Sequence, residues 1–319
     1  MARYRKDAGG WTLEESAMLD GHVAVVTGAN SGIGYETARA LARLDAEVIL
    51  ACRDVEAATR AVASIRRETP HARLSVVHLD LADLRSVHRA ADDILQTTDR
   101  LDLLINNGGV MRSTRALTVD GFEADLGTNF LGHFALTGRL FELVMATAGA
   151  RIVTVSSITH RRGRIHFNDL TLEHNFTHEV AYAQSKLANL MFAYALGRRL
   201  RAQGGSAISV SAHPGGTRTS VLRDRTRAVR LVYNPALRPV TSLFTQDAAQ
   251  GALPTLRAAL DPDATDGDFY GPGGRFELVG APVKVRSASR ARDEKAQEQL
   301  WGLAEKLTAV PYPPVSLNT

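Results

Sequence analysis

The chain is poor in cysteine: Cys52 is the only one in 319 residues. No intrachain disulfide can form, which excludes a disulfide-stapled secreted scaffold and fits a reducing compartment. Aromatic residues make up only 6% of the chain, with two tryptophans. No run approaches the ~18 consecutive apolar residues of a membrane span, and no apolar stretch follows the early charges of MARYRKDAGGWTLEESAML as a secretory signal would require. Long blocks of one charge sign are missing too. The net charge is +4 and the pI about 9.4, but 38 basic and 34 acidic residues are interspersed. That describes a solvated mixed-charge surface, not a nucleic-acid-binding arm. A cytoplasmic protein without nucleic-acid partners or a membrane span is therefore expected.

What remains is a hydrophobic content of 45% and a regular rhythm. Short apolar runs at 22–27, 47–52, 74–80, 101–106, 151–157 and 207–212 alternate with helical patterns through 37–44, 55–68, 84–97, 121–146 and 180–202. Strands apolar on both faces, separated by helices, predict a parallel sheet covered on both sides. Right-handed crossovers make it an α/β doubly wound (Rossmann) sheet of about seven strands. Further helices are expected near 246–260 and 290–308. The domain reading is an extension over 1–19, a single catalytic domain over 20–308 and a loose Pro-rich tail over 309–319. Within the domain, 215–245 breaks the rhythm and reads as an excursion over the substrate pocket, with Leu222, Leu231, Val232, Tyr233, Leu237 and Phe244 as candidate lining or ordinary core.

The first strand runs into TGANSGIG (27–34) and then a helix. Gly28, Gly32 and Gly34 permit a tight turn and close approach of phosphate oxygens, while the helix N-terminus at Asn30, Ser31 and Ile33 offers free N–H groups. Glycine clusters are common in turns; this one follows strand one and opens a helix, which points to a dinucleotide. At the end of strand two, Arg53 suits the 2′-phosphate of NADP(H), and an acid would suit the ribose of NAD(H). Asp54 follows directly, so NADP(H) is favoured with NAD(H) left open.

Tyr182 and Lys186 stand four apart in YAQSKLAN, on one face of a helix. An ammonium beside a phenol favours the phenolate and makes an acid–base catalyst. A ring resting on an aliphatic stem is the ordinary alternative. His174 and His178 in HNFTH could be a metal pair but lack the H-E-x-x-H order, and no metal is expected. Arg161, Arg162 and Arg164 read first as solvated residues and second as an anion site. A serine hydrolase built on Ser157 and His160 would need a G-x-S-x-G elbow, which VTVSSIT is not.

These motifs, in this order, resemble the short-chain dehydrogenase/reductase family, over roughly 20–305. The resemblance implies a cofactor turn at 27–34, an adenine contact at Asp80 and Leu81 in LDL, and cofactor contacts at Asn107, Gly108 and Gly109, where NNGG departs from the family's Asn-Asn-Ala-Gly. It implies a catalytic set of Asn129, Ser157, Tyr182 and Lys186, with Asn129 holding a relay water and Lys186 also bonding the nicotinamide ribose. HPGGTRT (213–219) is similar to the segment over the nicotinamide, bringing in Pro214, Gly215, Thr217 and Thr219. NSGIGYETARALA, ACRD, RGRIHFNDL and SKLANLMFAYAL resemble the retinol-dehydrogenase-like branch, as does the 25-residue step from Ser157 to Tyr182. The implied activity is interconversion of an alcohol and a ketone or aldehyde on a fairly apolar small molecule. Alternatives are reduction of a carbon–carbon double bond with the same cofactor, or a dinucleotide-binding regulator without turnover. Relatives pair through the two long helices, which implies a possible homodimer or homotetramer; a monomer follows if the carboxyl extension covers that face.

Overall fold

The computed structural model describes residues 11–217 and 245–313. Among the described residues, eight strands form one sheet in the order β3-β2-β1-β4-β5-β6-β7-β8. They are β1 (Val23–Thr27), β2 (Glu47–Cys52), β3 (Leu74–His78), β4 (Leu103–Asn106), β5 (Arg151–Val155), β6 (Ile208–Ala212), β7 (Phe269–Pro272) and β8 (Pro282–Lys284). All neighbouring pairs are parallel except β7–β8. Seven parallel strands match the expectation of about seven, and an eighth is added at the edge. The added antiparallel strand is a three-residue edge bounded by Gly and Pro, too short to carry a periodic signal.

Helices α1 (Gly32–Arg43), α2 (Val55–Glu68) and α8 (Ala248–Leu260) cover one face of the sheet. The other face carries α3 (Leu84–Thr97), α4 (Ala124–Leu126), α5 (Gly132–Arg139), α6 (Phe141–Ala146), α7 (His178–Ala202) and α9 (Glu294–Thr308). β1 shows why: Val23 and Val25 enter one core, Ala24 and Val26 the other, and all four are buried. Chain direction across the sheet reverses between β1 and β4, so the crevice at their carboxyl ends is the place for a ligand.

The long helix expected over 121–146 is instead broken. A π-helical turn, Gly127–Leu131, separates α4 from α5, and α6 restarts after Leu140. Two glycines bracket the turn because the chain runs close to its neighbours there: a side chain at Gly127 would strike Thr118, and one at Gly132 would strike the Leu81 carbonyl. π turns of this kind recur at functional sites.

Residues 309–313, the described part of the segment expected to be loose, pack onto the domain. Ala309 takes a left-handed conformation (φ 54°) that turns the chain back, and Val310 and Tyr312 are buried. The Tyr312 hydroxyl donates to the Phe134 carbonyl at 2.7 Å, and its ring lies 4.9 Å from Phe134, 5.5 Å from Phe141 and 4.6 Å from Trp301. The prolines suggested disorder; an aromatic anchor between them overrides it. α9 packs along α7 and α5, so residues 309–313 and the last helix cover the face those helices would offer a second copy.

Candidate active site

The glycine turn lies where β1 meets α1. Gly28 has φ +65° and Gly32 φ +58°, and a Cβ at Gly28 would come within 2.9 Å of the Gly108 Cα. Only glycine allows this approach of two backbones. Ser31 occupies the N-cap of α1 but makes no side-chain capping bond, so the first N–H groups of the helix keep their donors for a ligand. An anion cradle of this shape fits a dinucleotide pyrophosphate. Behind it, the buried Cys52 thiol lies against the Ala29 and Asn30 backbone N–H groups, and burial pushes it up to about 11. It is an inert support. Arg53 is exposed at the end of β2, whereas the Asp54 carboxylate accepts from Ala57 N at 2.9 Å as the N-cap of α2.

The segment after β4 is held by Thr27. Its Oγ1 accepts from Asn107 N at 2.9 Å and Gly108 N at 2.8 Å and lies 2.9 Å from His133 Nε2. The Asn107 side chain donates to the Thr27 carbonyl at 2.9 Å, so it braces the turn. Gly108, where the family uses alanine, has Leu81 Cδ1 within 2.8 Å of where a Cβ would stand. Asp80 Oδ1 accepts from Ala82 N at 2.9 Å, shaping the loop after β3.

Asn129 sits in the π turn, fully buried. Its Oδ1 accepts from Val110 N at 2.7 Å, and its Nδ2 donates to the Val110 carbonyl and to Ser185 Oγ, both at 2.9 Å. Both amide hydrogens are therefore spent on positioning the loop beside Gly109 and fastening it to α7. The Asn129 carbonyl accepts from His133 Nδ1 at 2.9 Å.

Two adjacent serines close β5 and have different surroundings. Ser156 is buried and donates to the Lys186 carbonyl at 2.7 Å, tying α7 to the sheet. Ser157 is half-buried, with Oγ accepting from Thr159 N at 3.3 Å. α7 starts at a Thr177 cap bonded to Val180 N, and this phases Tyr182 and Lys186 toward β5. Lys186 is buried; its Nζ donates to the Val155 carbonyl at 3.1 Å and lies 5.7 Å from the Tyr182 ring centroid. Burial pulls the ammonium down to about 8, and Asp125 acts the other way. The half-buried Tyr182 thus has a positive charge close by in a water-poor site.

Sequence reasoning missed a clamp behind Ser157. Ala288 N donates to His160 Nε2 at 3.2 Å, so His160 Nδ1 carries the proton and donates to the Ser157 carbonyl at 2.6 Å. This histidine grips the serine's backbone, which disposes of the hydrolase reading. Burial keeps it neutral, pushed down to about 4. Nearby, Gly215 N donates to His213 Nδ1 at 3.3 Å, leaving Nε2–H to donate to Glu277 at 3.2 Å. Arg161 also binds Glu277, at 2.8 Å, so it is structural where an anion site was the second reading. Phe276 and Glu277 hold left-handed φ of 56° and 55° to make these bonds. Leu278 O accepts from Gly216 N at 2.8 Å, joining the clamp to the Pro214–Thr217 segment. There the Thr217 hydroxyl donates to the Pro214 carbonyl at 2.6 Å. Thr219 and the six apolar candidates of the excursion lie outside the described residues. His174 is exposed and His178 pairs with Glu179, with no group of three or more potential metal ligands among the described residues.

Asp125 and His133, four residues either side of Asn129, were also missed. The spacing was visible, but an acid and a histidine on a helix ordinarily face solvent; here both are buried.

Comparison with known proteins gives this geometry a family. The family model for short chain dehydrogenases matches residues 22–230. Mouse retinol dehydrogenase 12 is 38% identical over 310 residues, covering 97% of this chain and 93% of the relative. Mouse retinol dehydrogenase 11 is 40% identical over 313 residues, covering 97% and 93%. An uncharacterized Mycobacterium paratuberculosis protein of known crystal structure superposes with a TM-score of 0.78 at 39% identity, over 96% of this chain and 100% of its own. A Burkholderia cenocepacia short chain dehydrogenase, solved with NADP, superposes with a TM-score of 0.62 over 79% of this chain and 96% of its own; at 23% identity it speaks for the fold alone. With the motifs in order on the sheet and the match running through most of the chain, the protein belongs to the short-chain dehydrogenase family, among relatives named retinol dehydrogenases.

Proposed function

We propose that the protein is an NADP(H)-dependent oxidoreductase interconverting an alcohol with a ketone or aldehyde on a fairly apolar small molecule. The observation that carries this reading is the buried Lys186 ammonium 5.7 Å from the Tyr182 ring, beside Ser157 at the carboxyl end of β5. When bound, the nicotinamide supplies or receives the hydride. Tyr182 gives its proton to the substrate oxygen in reduction and takes it back in oxidation. Lys186 stabilises the phenolate that results. Ser157 donates a hydrogen bond to the substrate oxygen as charge collects there. Asn129 holds the Gly109–Val110 loop in place. The cradle from Gly28 to Gly34 takes the pyrophosphate, and Arg53 takes the 2′-phosphate, a preference supported by the engagement of Asp54 as a helix cap. The names of the retinol dehydrogenases support an apolar alcohol or its aldehyde as the substrate class.

The covered α5 and α7 face supports a monomer over a pair formed through those helices. Sedimentation of the purified chain distinguishes the two. Function is tested by titrating NADPH and NADH while following energy transfer to the bound nicotinamide, then by assaying apolar aldehydes and ketones with wild type and Tyr182→Phe. The expected result is NADPH binding in both, with kcat lower by about 10²–10⁴ in the variant. Failure to bind either dinucleotide refutes the assignment, and full turnover by Tyr182→Phe refutes the role of the phenol.

A further inference from the structure

Lys186 is a cation sealed inside the protein, and its one hydrogen bond given above goes to a neutral carbonyl. A buried charge needs a counter-charge or loses its proton. The α4 turn, packed against α7, holds a carboxyl with the opposite problem. Asp125 is fully buried; its Oδ1 accepts from Arg112 N at 2.9 Å, while Oδ2 is enclosed without a hydrogen-bond partner. Such an orphaned buried oxygen calls for a reason. Asn129, one turn further on, is fastened to Ser185, the residue before Lys186. A Cβ placed on Gly109 would stand 3.0 Å from Asn129 Oδ1 and 3.5 Å from Lys186 Nζ, so the ammonium reaches the floor formed by this helix.

We propose that Asp125 is the charge partner of Lys186, a positioning residue that keeps the buried lysine an ammonium through the pH range in which Tyr182 exchanges its proton. The inference rests on the role given to Lys186 above. Around Asp125 the charged groups are Lys186 from α7, Glu123 from its own turn and Arg112 from the loop after β4; Arg115 in turn acts on Glu123. Around Lys186 they are Asp125, His133 from α5 and the phenol of Tyr182. His133 is neutral, so Asp125 is the counter-charge. Burial drives the carboxyl up to about 7, with Glu123 adding to the rise and Lys186 opposing it. Lys186 favours the carboxylate and Asp125 favours the ammonium, each against the other's burial.

The pair is tested without turnover, by linkage. Carbon NMR of the full chain labelled at aspartate Cγ reads each carboxyl as pH is raised. One resonance, identified by its loss in Asp125→Asn or, if that variant fails to fold, Asp125→Ser, should titrate near neutrality. In Lys186→Met it should titrate at least one pH unit higher. An Asp125 signal unmoved in Lys186→Met overturns the proposal. A kinetic arm follows: the alkaline limb of kcat for carbonyl reduction should move about one pH unit lower in Asp125→Asn, a roughly tenfold loss on that limb. Superimposable profiles overturn the proposal even if the overall rate falls. If the chain binds no dinucleotide, the functional reading fails, while the NMR result still decides whether the two charges are paired.

Discussion

His133 should make the protein acid-labile well before its surface carboxylates titrate. The imidazole is fully buried between β1 and the π turn. Thr27 Oγ1 already accepts from Asn107 N and Gly108 N, so its own hydrogen is shared between His133 Nε2 at 2.9 Å and the Ile105 carbonyl at 3.3 Å, and Nδ1–H donates to the Asn129 carbonyl. A second ring proton would point at an oxygen whose lone pairs are spent. It would also add a buried charge near Lys186. Burial, opposed by the Asn129 carbonyl and reinforced by Lys186, pushes the group from 6.5 down to about 4. Between those values the unfolded chain binds a proton that the folded chain refuses, so stability falls as pH drops through this window and is unaffected above it. At ~1.36 kcal/mol per pH unit the loss approaches about 3 kcal/mol at the acid end and is about 2 kcal/mol at pH 5. His160 contributes with the same sign, and Asp125 with the opposite sign, because its raised value makes the folded state the better proton binder. The informative quantity is therefore a difference. Urea unfolding of wild type and His133→Gln at pH 7.5 and pH 5 should show wild type losing about 2 kcal/mol more across the interval. Parallel losses in the two proteins would refute the argument.

Tyr312→Ala should destabilise the fold by about 3–5 kcal/mol, through the cavity left among Phe134, Phe141 and Trp301, and thermal unfolding checks it. The same variant uncovers part of the α5 and α7 face, so weak self-association in sedimentation is the accompanying expectation. Arg53→Ala should weaken NADPH binding by roughly tenfold or more, in line with about 1.5–3 kcal/mol for a charge-assisted bond, and leave NADH affinity within about twofold; parallel titrations decide it. Glu277→Ala should cost about 1–3 kcal/mol, because the buried His213 Nε2–H loses its acceptor, and calorimetry measures it.

Parts of the site written in contiguous residues were legible from sequence. The turn from Gly28 to Gly34 needs its glycines next to one another for steric reasons, and the Tyr182–Lys186 pair needs a spacing of four on one helix. Parts assembled from distant segments were not legible. Tyr312 lies 178 residues from the Phe134 carbonyl it bonds, and Ala288 lies 128 from His160. β7 and β8 are four and three residues long and rich in Gly and Pro, so no alternation could mark them. Thr219 and the excursion expected over 215–245 fall, from 218 to 244, outside the described residues.

The roles of Asn129 and Asp125 depend on a feature that sequence periodicity conceals. On an uninterrupted helix, Asp125, Asn129 and His133 would form one stripe at a spacing of four, with the ordinary reading of a solvated or capping face. The π turn over Gly127–Leu131 adds a residue to the winding. Gly127 and Gly132 permit it by letting the helix approach Thr118 and the Leu81 carbonyl. In that setting the stripe is enclosed by β1, the loop after β4 and α7. Asn129 then binds the loop, His133 braces Thr27, and Asp125 is left with a buried oxygen on the side of α7 that carries Lys186. Restoring an ordinary helix would turn these side chains away from the crevice. The irregular turn is thus the physical link by which Gly127 and Gly132 set the places of Asn129, His133 and Asp125.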